Sequence, residues 1–215
     1  MLDTPLTIPG LRHFETFLHE LNTALPERGY RWSEAKERSC TWMLDRVVEG
    51  RGVDVGGTDW LCEQLARMGR EVTFYDVVLP QEHPLHVQDD MMNVLEHFAP
   101  GSLDFITTRH TLEHSVAPLF QLWCYNRLLR PDGQLLVMVP VHAKEWVWFH
   151  THWNCLPQEN WLMLFHRAGF RVEAADAGSW NTGRDLFIEL RFDLRKESES
   201  MRLKGGFPSR LVRQR

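Results

Sequence analysis

His110 and His114 close the segment LDFITTRHTLEH (103–114), and His142, His150 and His152 lie within VHAKEWVWFHTHWNC (141–155). Imidazole titrates near neutral pH, so these groups suit the removal of a proton from a hydroxyl or amine nucleophile. Trp146, Trp148 and Trp153 are interspersed with the second set, an aromatic, hydrogen-bonding wall for a planar or sugar-like molecule. The same tryptophans serve equally well as local core, where large aromatics usually sit. His150-x-His152 has a metal-ligand spacing, but His142 is not spaced to complete it, and no metal is expected. Glu113 reads as a charge at a helix start.

A second chemistry lies upstream. RGVDVGGTDW (51–60) runs from a short apolar strand through Asp54 to Gly56 and Gly57, with a helix opening near Thr58. Glycine is needed where a ligand must approach backbone with no side chain between. The N–H groups at the start of that helix favour an anionic group at the same spot. Asp76 ends EVTFYD about twenty residues later, the spacing at which a carboxylate meets a ribose diol. Val77 follows it, and Asp89 and Asp90 stand just past a third strand. This is nucleoside-cofactor geometry, and it does not choose between cofactors.

The elements that must position these groups alternate from residue 51 onward. Strands are expected at 52–55, 72–75, 85–88, 103–107, 134–139, 171–174 and 184–193, and helices at 59–68, 91–98, 116–129 and 158–168. Such alternation belongs to an α/β, Rossmann-like, doubly wound sheet, whose crevice at the carboxyl ends of the strands binds ligands. Leu186, Ile188, Leu190 and Phe192 alternate in the last strand, as expected with one wet face. Two helices come first, near 11–25 and from Ser33, with apolar residues at helical spacing. The expected organisation is an N-terminal helical extension over 1–50, a catalytic domain over 51–194 and a basic tail over 195–215.

Five segments in order resemble the class I S-adenosylmethionine-dependent methyltransferases. They are RGVDVGGTDW, EVTFYD, HVQDDMMNVL, LDFITTRHTLEH with its "LEH" ending, and RLLRPDGQLLVMVP, and the passage LPQENWLMLFHRAGFRVEAA follows them. Residues 51–175 are covered, and the likeness is strongest to the group containing ubiquinone- and menaquinone-biosynthesis enzymes and many small-molecule methyltransferases. The resemblance implies a seven-stranded sheet with its last strand antiparallel. It also implies S-adenosylmethionine over Asp54, Gly56, Gly57 and Thr58, ribose at Asp76, adenine near Val77, Asp89 and Asp90, and Arg109 on the cofactor side. His110, His114 and His152 would serve the acceptor, with His114 and His152 on opposite sides of the methyl. The chain departs from the family's DVGCGTG pattern: the second and third glycines are replaced by Thr58 and Trp60. Trp60 would either close the methionine end of the pocket or turn into the core.

Three functional readings follow. The first is methyl transfer to a small-molecule acceptor, sugars and sugar-nucleotides included. The second is a non-catalytic binding or scaffold module, favoured by Trp60. The third, a nicotinamide-dependent oxidoreductase, is disfavoured by the absence of GxGxxG. A net charge of -5 argues against a general nucleic-acid binder, although the segment from Arg195 is basic. No apolar run is long enough to span a bilayer, and scattered Cys40, Cys62, Cys124 and Cys155 suit reduced thiols in the cytoplasm. The oligomeric state is not legible.

Overall fold

A computed structural model describes residues 14, 16–18, 20–21, 34–77, 85–143, 147, 151–181 and 186–203. The chain divides into two units, Met1–Tyr30 and Arg31–Arg215. In the first, the described residues are helical, and the rings of Phe14 and Phe17 stack with centroids 6.4 Å apart.

The second unit is built on seven strands: β1 (Arg51–Val55), β2 (Glu71–Asp76), β3 (His86–Gln88), β4 (Leu103–Arg109), β5 (Leu129–Pro140), β6 (Phe170–Asn181) and β7 (Leu186–Lys196). They form one sheet in the order β3-β2-β1-β4-β5-β7-β6. β1 lies inside it, flanked by parallel β2 and β4, and β7 inserts antiparallel between β5 and β6. The seven-stranded sheet with an antiparallel last strand is therefore present as expected. Its chain reversal between β1 and β4 opens a crevice at the strands' carboxyl ends.

The helices are α1 (Glu34–Leu44), α2 (Asp59–Arg67), α3 (Val94–His97), α4 (Pro118–Leu128) and α5 (Gln158–Arg167). Successive strand side chains point to opposite faces, and β5 shows the consequence. Leu135, Val137 and Val139 pack in one cluster with Leu122 of α4 and Trp161 and Phe165 of α5. Leu136 and Met138 pack in the other with Cys40 and Met43 of α1 and Leu61 and Leu65 of α2. Helices thus cover both faces. Because α1 fills a core face, the expected extension over 1–50 is divided: Glu34–Leu44 belongs to the sheet unit.

Two strands outrun their sequence signals. β5 begins at Leu129, five residues before the expected start, and absorbs Pro131-Asp132-Gly133 with Asp132 at φ 59. β6 continues to Asn181 through AADAGSWN, a stretch of weak strand formers, because β7 pairs with it along that length. β7 also ends later than expected, so Arg195 and Lys196 belong to the sheet and not to the basic tail. The Lys196 Nζ donates to the Leu129 carbonyl at 2.8 Å, and Arg202 pairs with Glu197. Among the described residues no helix is long and apolar enough to cross a membrane.

Candidate active site

The turn after β1 is built from below by Asp54. This carboxylate is fully buried, with Thr107 of β4 as its register partner. Thr107 donates its hydroxyl to Oδ1 at 2.7 Å, and the Thr58 amide donates to Oδ2 at 3.1 Å. Thr58 in turn caps α2, accepting from the Leu61 amide at 3.1 Å. Gly56 has φ +65, and a Cβ there would stand 2.2 Å from Thr111 Oγ1; a Cβ on Gly57 would stand 1.7 Å from Asp54 Oδ2. Both glycines are therefore required by the turn itself. The Thr111 hydroxyl faces the carbonyls of Val55, Gly56 and Arg109 at 3.0–3.2 Å, fastening the turn to the end of β4.

Burial pushes the Asp54 carboxyl up to about 7, against the opposing hydrogen bonds from Thr107 and Thr58. The unfolded carboxyl releases its proton near pH 4, so the folded chain binds the extra proton between about pH 4 and 7. Stability contributed by the neutral form is present below that window and is lost as pH rises through it. Asp54→Asn removes this contribution. The variant is expected to gain on the wild type by up to a few kcal/mol as pH rises from about 4 to 7. Urea unfolding at several pH values checks it, and parallel stability curves would refute it.

The parallel register carries the edge outward from the turn. Val55 pairs with Tyr75 and Asp76 with Gln88, so Gly56, Asp76 and Asp89 occupy the ends of three adjacent strands. The Gly56 amide donates to the Tyr75 carbonyl at 2.8 Å, and the Asp89 amide to the Asp76 carbonyl at 3.2 Å. Val77 lies at the same lip, its carbonyl accepting from Gln88 Nε2. The Asp89 carboxylate is engaged by the Asp90 amide, Asn93 and His97. Burial raises its pKa, but those contacts outweigh it and hold the group below the usual carboxylate value. Asp90 caps the next turn with Oδ1 on the Met92 amide at 2.9 Å, and its carbonyl accepts from the buried Tyr75 hydroxyl.

A denser cluster follows β4. Arg109 is 4% exposed, with Nε donating to Ser39 Oγ of α1 at 2.8 Å and Nη2 3.9 Å from Glu189 of β7. His110 is held at φ 50, a backbone state that non-glycine residues rarely adopt and that gathers at functional sites. Its Nε2 lies 3.0 Å from Glu189 Oε2. A carboxylate only accepts, so that ring nitrogen carries the proton. Burial and the Arg109 charge push His110 down to about 4, against its hydrogen bond to Glu189. Glu189 is fully buried and also binds Arg191 through Oε1 at 2.8 and 2.9 Å. Burial raises its carboxyl, but His110, Arg109 and Arg191 hold it below the usual value.

Glu113 lies in the first turn of a 3₁₀ helix over Leu112–His114, at a helix start as expected, and it is fully buried. Neither carboxylate oxygen has a hydrogen-bond partner, and Oε1 lies 3.8 Å from His110 Nδ1. Burial pushes the carboxyl up to about 8, against the dipole of its own backbone amide and the Arg109 charge. The Glu113 carbonyl accepts from the amides of Trp153 at 2.8 Å and Asn154 at 3.0 Å. His114 donates Nδ1–H to the Thr151 carbonyl at 2.7 Å, so the 151–155 wall is tied directly to the turn.

His114 and His152 are thus brought together, but not across a methyl group. Their rings meet edge to face with centroids 4.7 Å apart, leaving no space for an acceptor between them. Both belong to one wall. His152 Nδ1 lies 3.3 Å from Cys155 Sγ, and His142 Nδ1 bonds the Cys155 carbonyl. Trp153 is 44% exposed. His150, Trp146 and Trp148 lie outside the described residues. Trp60 is half-buried, packed against the edge of the cluster that contains Cys40, Met43, Leu61 and Leu65.

Sequence reasoning missed Thr111, Glu113 and Glu189 as parts of this site. The LEH ending was a signal for Glu113, whereas Glu189 stands 79 residues from its partner His110, beyond any local pattern.

A family model described as a methyltransferase domain matches residues 15–175, and the chain belongs to that family. Its fold is that of S-adenosylmethionine-dependent methyltransferases, a class whose cofactor is S-adenosylmethionine. One from Archaeoglobus fulgidus gives a TM-score of 0.64 at 15% identity, covering 84% of this chain and 99% of that one. Burkholderia thailandensis 1,6-didemethyltoxoflavin-N1-methyltransferase was solved with 1,6-didemethyltoxoflavin and S-adenosylhomocysteine bound. It gives 0.60 at 18% identity, covering 92% and 94%. The [4+2]-cyclase SpnF gives 0.57 at 16% identity, covering 86% and 94%. A search of the curated proteins finds no match. The carboxyl edge fits the class's cofactor: a positive-φ glycine turn leads into the start of a capped helix, and acidic residues end the next two strands.

Proposed function

We propose that the chain binds S-adenosylmethionine along the ends of β1–β3 and methylates a small-molecule acceptor held beyond β4. The observation that carries this reading is the alignment of Gly56, Asp76 and Asp89–Asp90 at adjacent strand ends, beside a buried histidine–carboxylate cluster. In this reading Asp54, Gly57 and Thr58 act from beneath, shaping the turn, while Gly56 meets the methionine portion. Asp76 takes the ribose hydroxyls. Val77 and Asp90 border the adenine, with Asp89 fixing their loop. Arg109 acts at one remove, through Ser39 and Glu189.

The sulfonium methyl is intrinsically reactive, so the chain's main task is to align the acceptor and remove its proton. Neutral His110, braced by Glu189, and His114 and His152 on the opposite wall are the groups for that work. A planar or sugar-like acceptor is favoured by exposed Trp153 beside them. The packing of half-buried Trp60 against the α1–α2 cluster supports cofactor binding over a scaffold role, and four unpaired thiols suit the cytoplasm.

Asp76→Ala is expected to weaken S-adenosylmethionine binding by about tenfold or more, since charge-assisted hydrogen bonds contribute about 1.5–3 kcal/mol. Calorimetry reads it, and an unchanged dissociation constant would remove Asp76 from the site. Titration with NADH separates the oxidoreductase reading, and a metabolite screen for S-adenosylhomocysteine release identifies the acceptor.

A further inference from the structure

We propose that Glu113, His114 and His152 form a binding site for a divalent transition-metal ion of the zinc type. One ligand atom from each lies within 4.8 Å of the other two, and Glu113 is fully buried. An ion bound at about 2.1 Å in tetrahedral geometry wants donors roughly 3.4 Å apart, which small side-chain rotations provide.

The second observation is the Glu113 carboxylate. Both oxygens are buried and accept no hydrogen bond. Burying such a group unsatisfied is costly, and native interiors rarely leave one so. The 3.8 Å approach of His110 Nδ1 is too long for a hydrogen bond, and that nitrogen carries no proton when Nε2–H is given to Glu189. A cation held by the carboxylate satisfies it.

The surroundings are those of a metal centre. His114 gives Nδ1–H to the Thr151 carbonyl, which fixes the ring and presents Nε2 as its lone-pair nitrogen. His152 is oriented by Cys155 at Nδ1, and its segment is fastened to the Glu113 carbonyl by the Trp153 and Asn154 amides. All three donors are thereby set by local structure before any ion arrives. Two imidazoles and one carboxylate select a borderline transition ion over magnesium, which prefers oxygen ligands. Three protein donors also leave a position open for an oxygen of the acceptor. That last consequence rests on the proposed methyl transfer; the metal site does not. In this arrangement His114 and His152 act on the acceptor through the ion, and His110, held by Glu189, is the base outside the metal site.

The test uses the full chain stripped with chelator. Zinc and magnesium are titrated separately by calorimetry without S-adenosylmethionine, and S-adenosylmethionine is titrated without metal. One equivalent of zinc is expected to bind at micromolar concentration or tighter, with no comparable magnesium binding. Glu113→Gln and His152→Ala should each weaken zinc at least about tenfold. Melting of both variants without metal verifies folding. Should Glu113→Gln not fold, His152→Ala, on a partly exposed residue, decides. Cobalt substitution is expected to give visible d–d bands without thiolate charge transfer. Zinc binding weaker than millimolar, unchanged affinity in the variants, or a thiolate band would overturn the site. Zinc binding without S-adenosylmethionine binding would sink the cofactor reading alone, and the converse result the metal site alone.

Discussion

Gly57→Ala is expected to lower stability by about 2–3 kcal/mol and to weaken S-adenosylmethionine binding by tenfold or more. The added methyl would stand 1.7 Å from Asp54 Oδ2. That carboxylate yields only at a cost, because its oxygens hold the Thr107 hydroxyl, the Thr58 amide and the Cys62 thiol. Either the turn or the strand below must move, and in the proposed function both set the place of the cofactor's charged end. Melting and calorimetry read the two effects. A double variant that also shortens Asp54 to Ala should lose less than the sum of the single changes, since both act on one contact. Strict additivity, or unchanged binding in Gly57→Ala, would show that the turn has slack.

Glu189→Ala is expected to cost about 3–5 kcal/mol, the range for removing one partner of a buried ion pair. Glu189 is the common acceptor for Arg191 and His110 and the nearby counter-charge of Arg109. Arg109 would remain buried with its nearest carboxylate gone. Glu189→Gln keeps hydrogen-bonding atoms in place but removes the charge, and should lose less. Because Glu189's folded pKa is depressed, its contribution is present above the ordinary carboxylate range and disappears as pH falls through the lower folded value. The difference between wild type and Glu189→Ala should therefore shrink in acid. Urea unfolding gives both quantities; a loss under about 1 kcal/mol at neutral pH would mean that the cluster tolerates net charge.

The glycine turn and the acidic strand ends beside it are legible because their determinants are local. A strand, two glycines, a capping threonine and an acid about twenty residues on all lie in one βαβ unit, where spacing translates directly into position. The β7 alternation is legible at Leu190 and Phe192, which are buried, and not at the start of the strand, where Ile188 is exposed and Glu189 is buried. The acceptor side was not legible. The helix-start place of Glu113 is legible but its burial is not, because the sequence does not show the 151–155 segment tied to that turn, and Glu189 joins His110 only when β7 inserts beside β5. The extent of β6 was hidden too, since Ala, Asp, Gly and Ser have little strand preference and only the partner strand holds them extended. Trp60 was ambiguous because its fate depends on α1, which precedes the sheet and contributes the surface against which it packs.

The Thr111 hydroxyl has a consequence for how such a protein diversifies. It is a seam: on one side lie the glycine turn and the strands that continue from it, on the other the histidines, the buried acids and the wall they carry. Across it run three backbone carbonyls, whose chemistry is the same whatever side chains surround them. Substitutions in the wall can accumulate without disturbing the partner half, because the joint depends on its own threonine and on Gly56, and on no side chain of the wall. On the proposed function, a lineage can therefore exchange one acceptor for another by rewriting a short loop, while the half assigned to the cofactor is inherited unchanged.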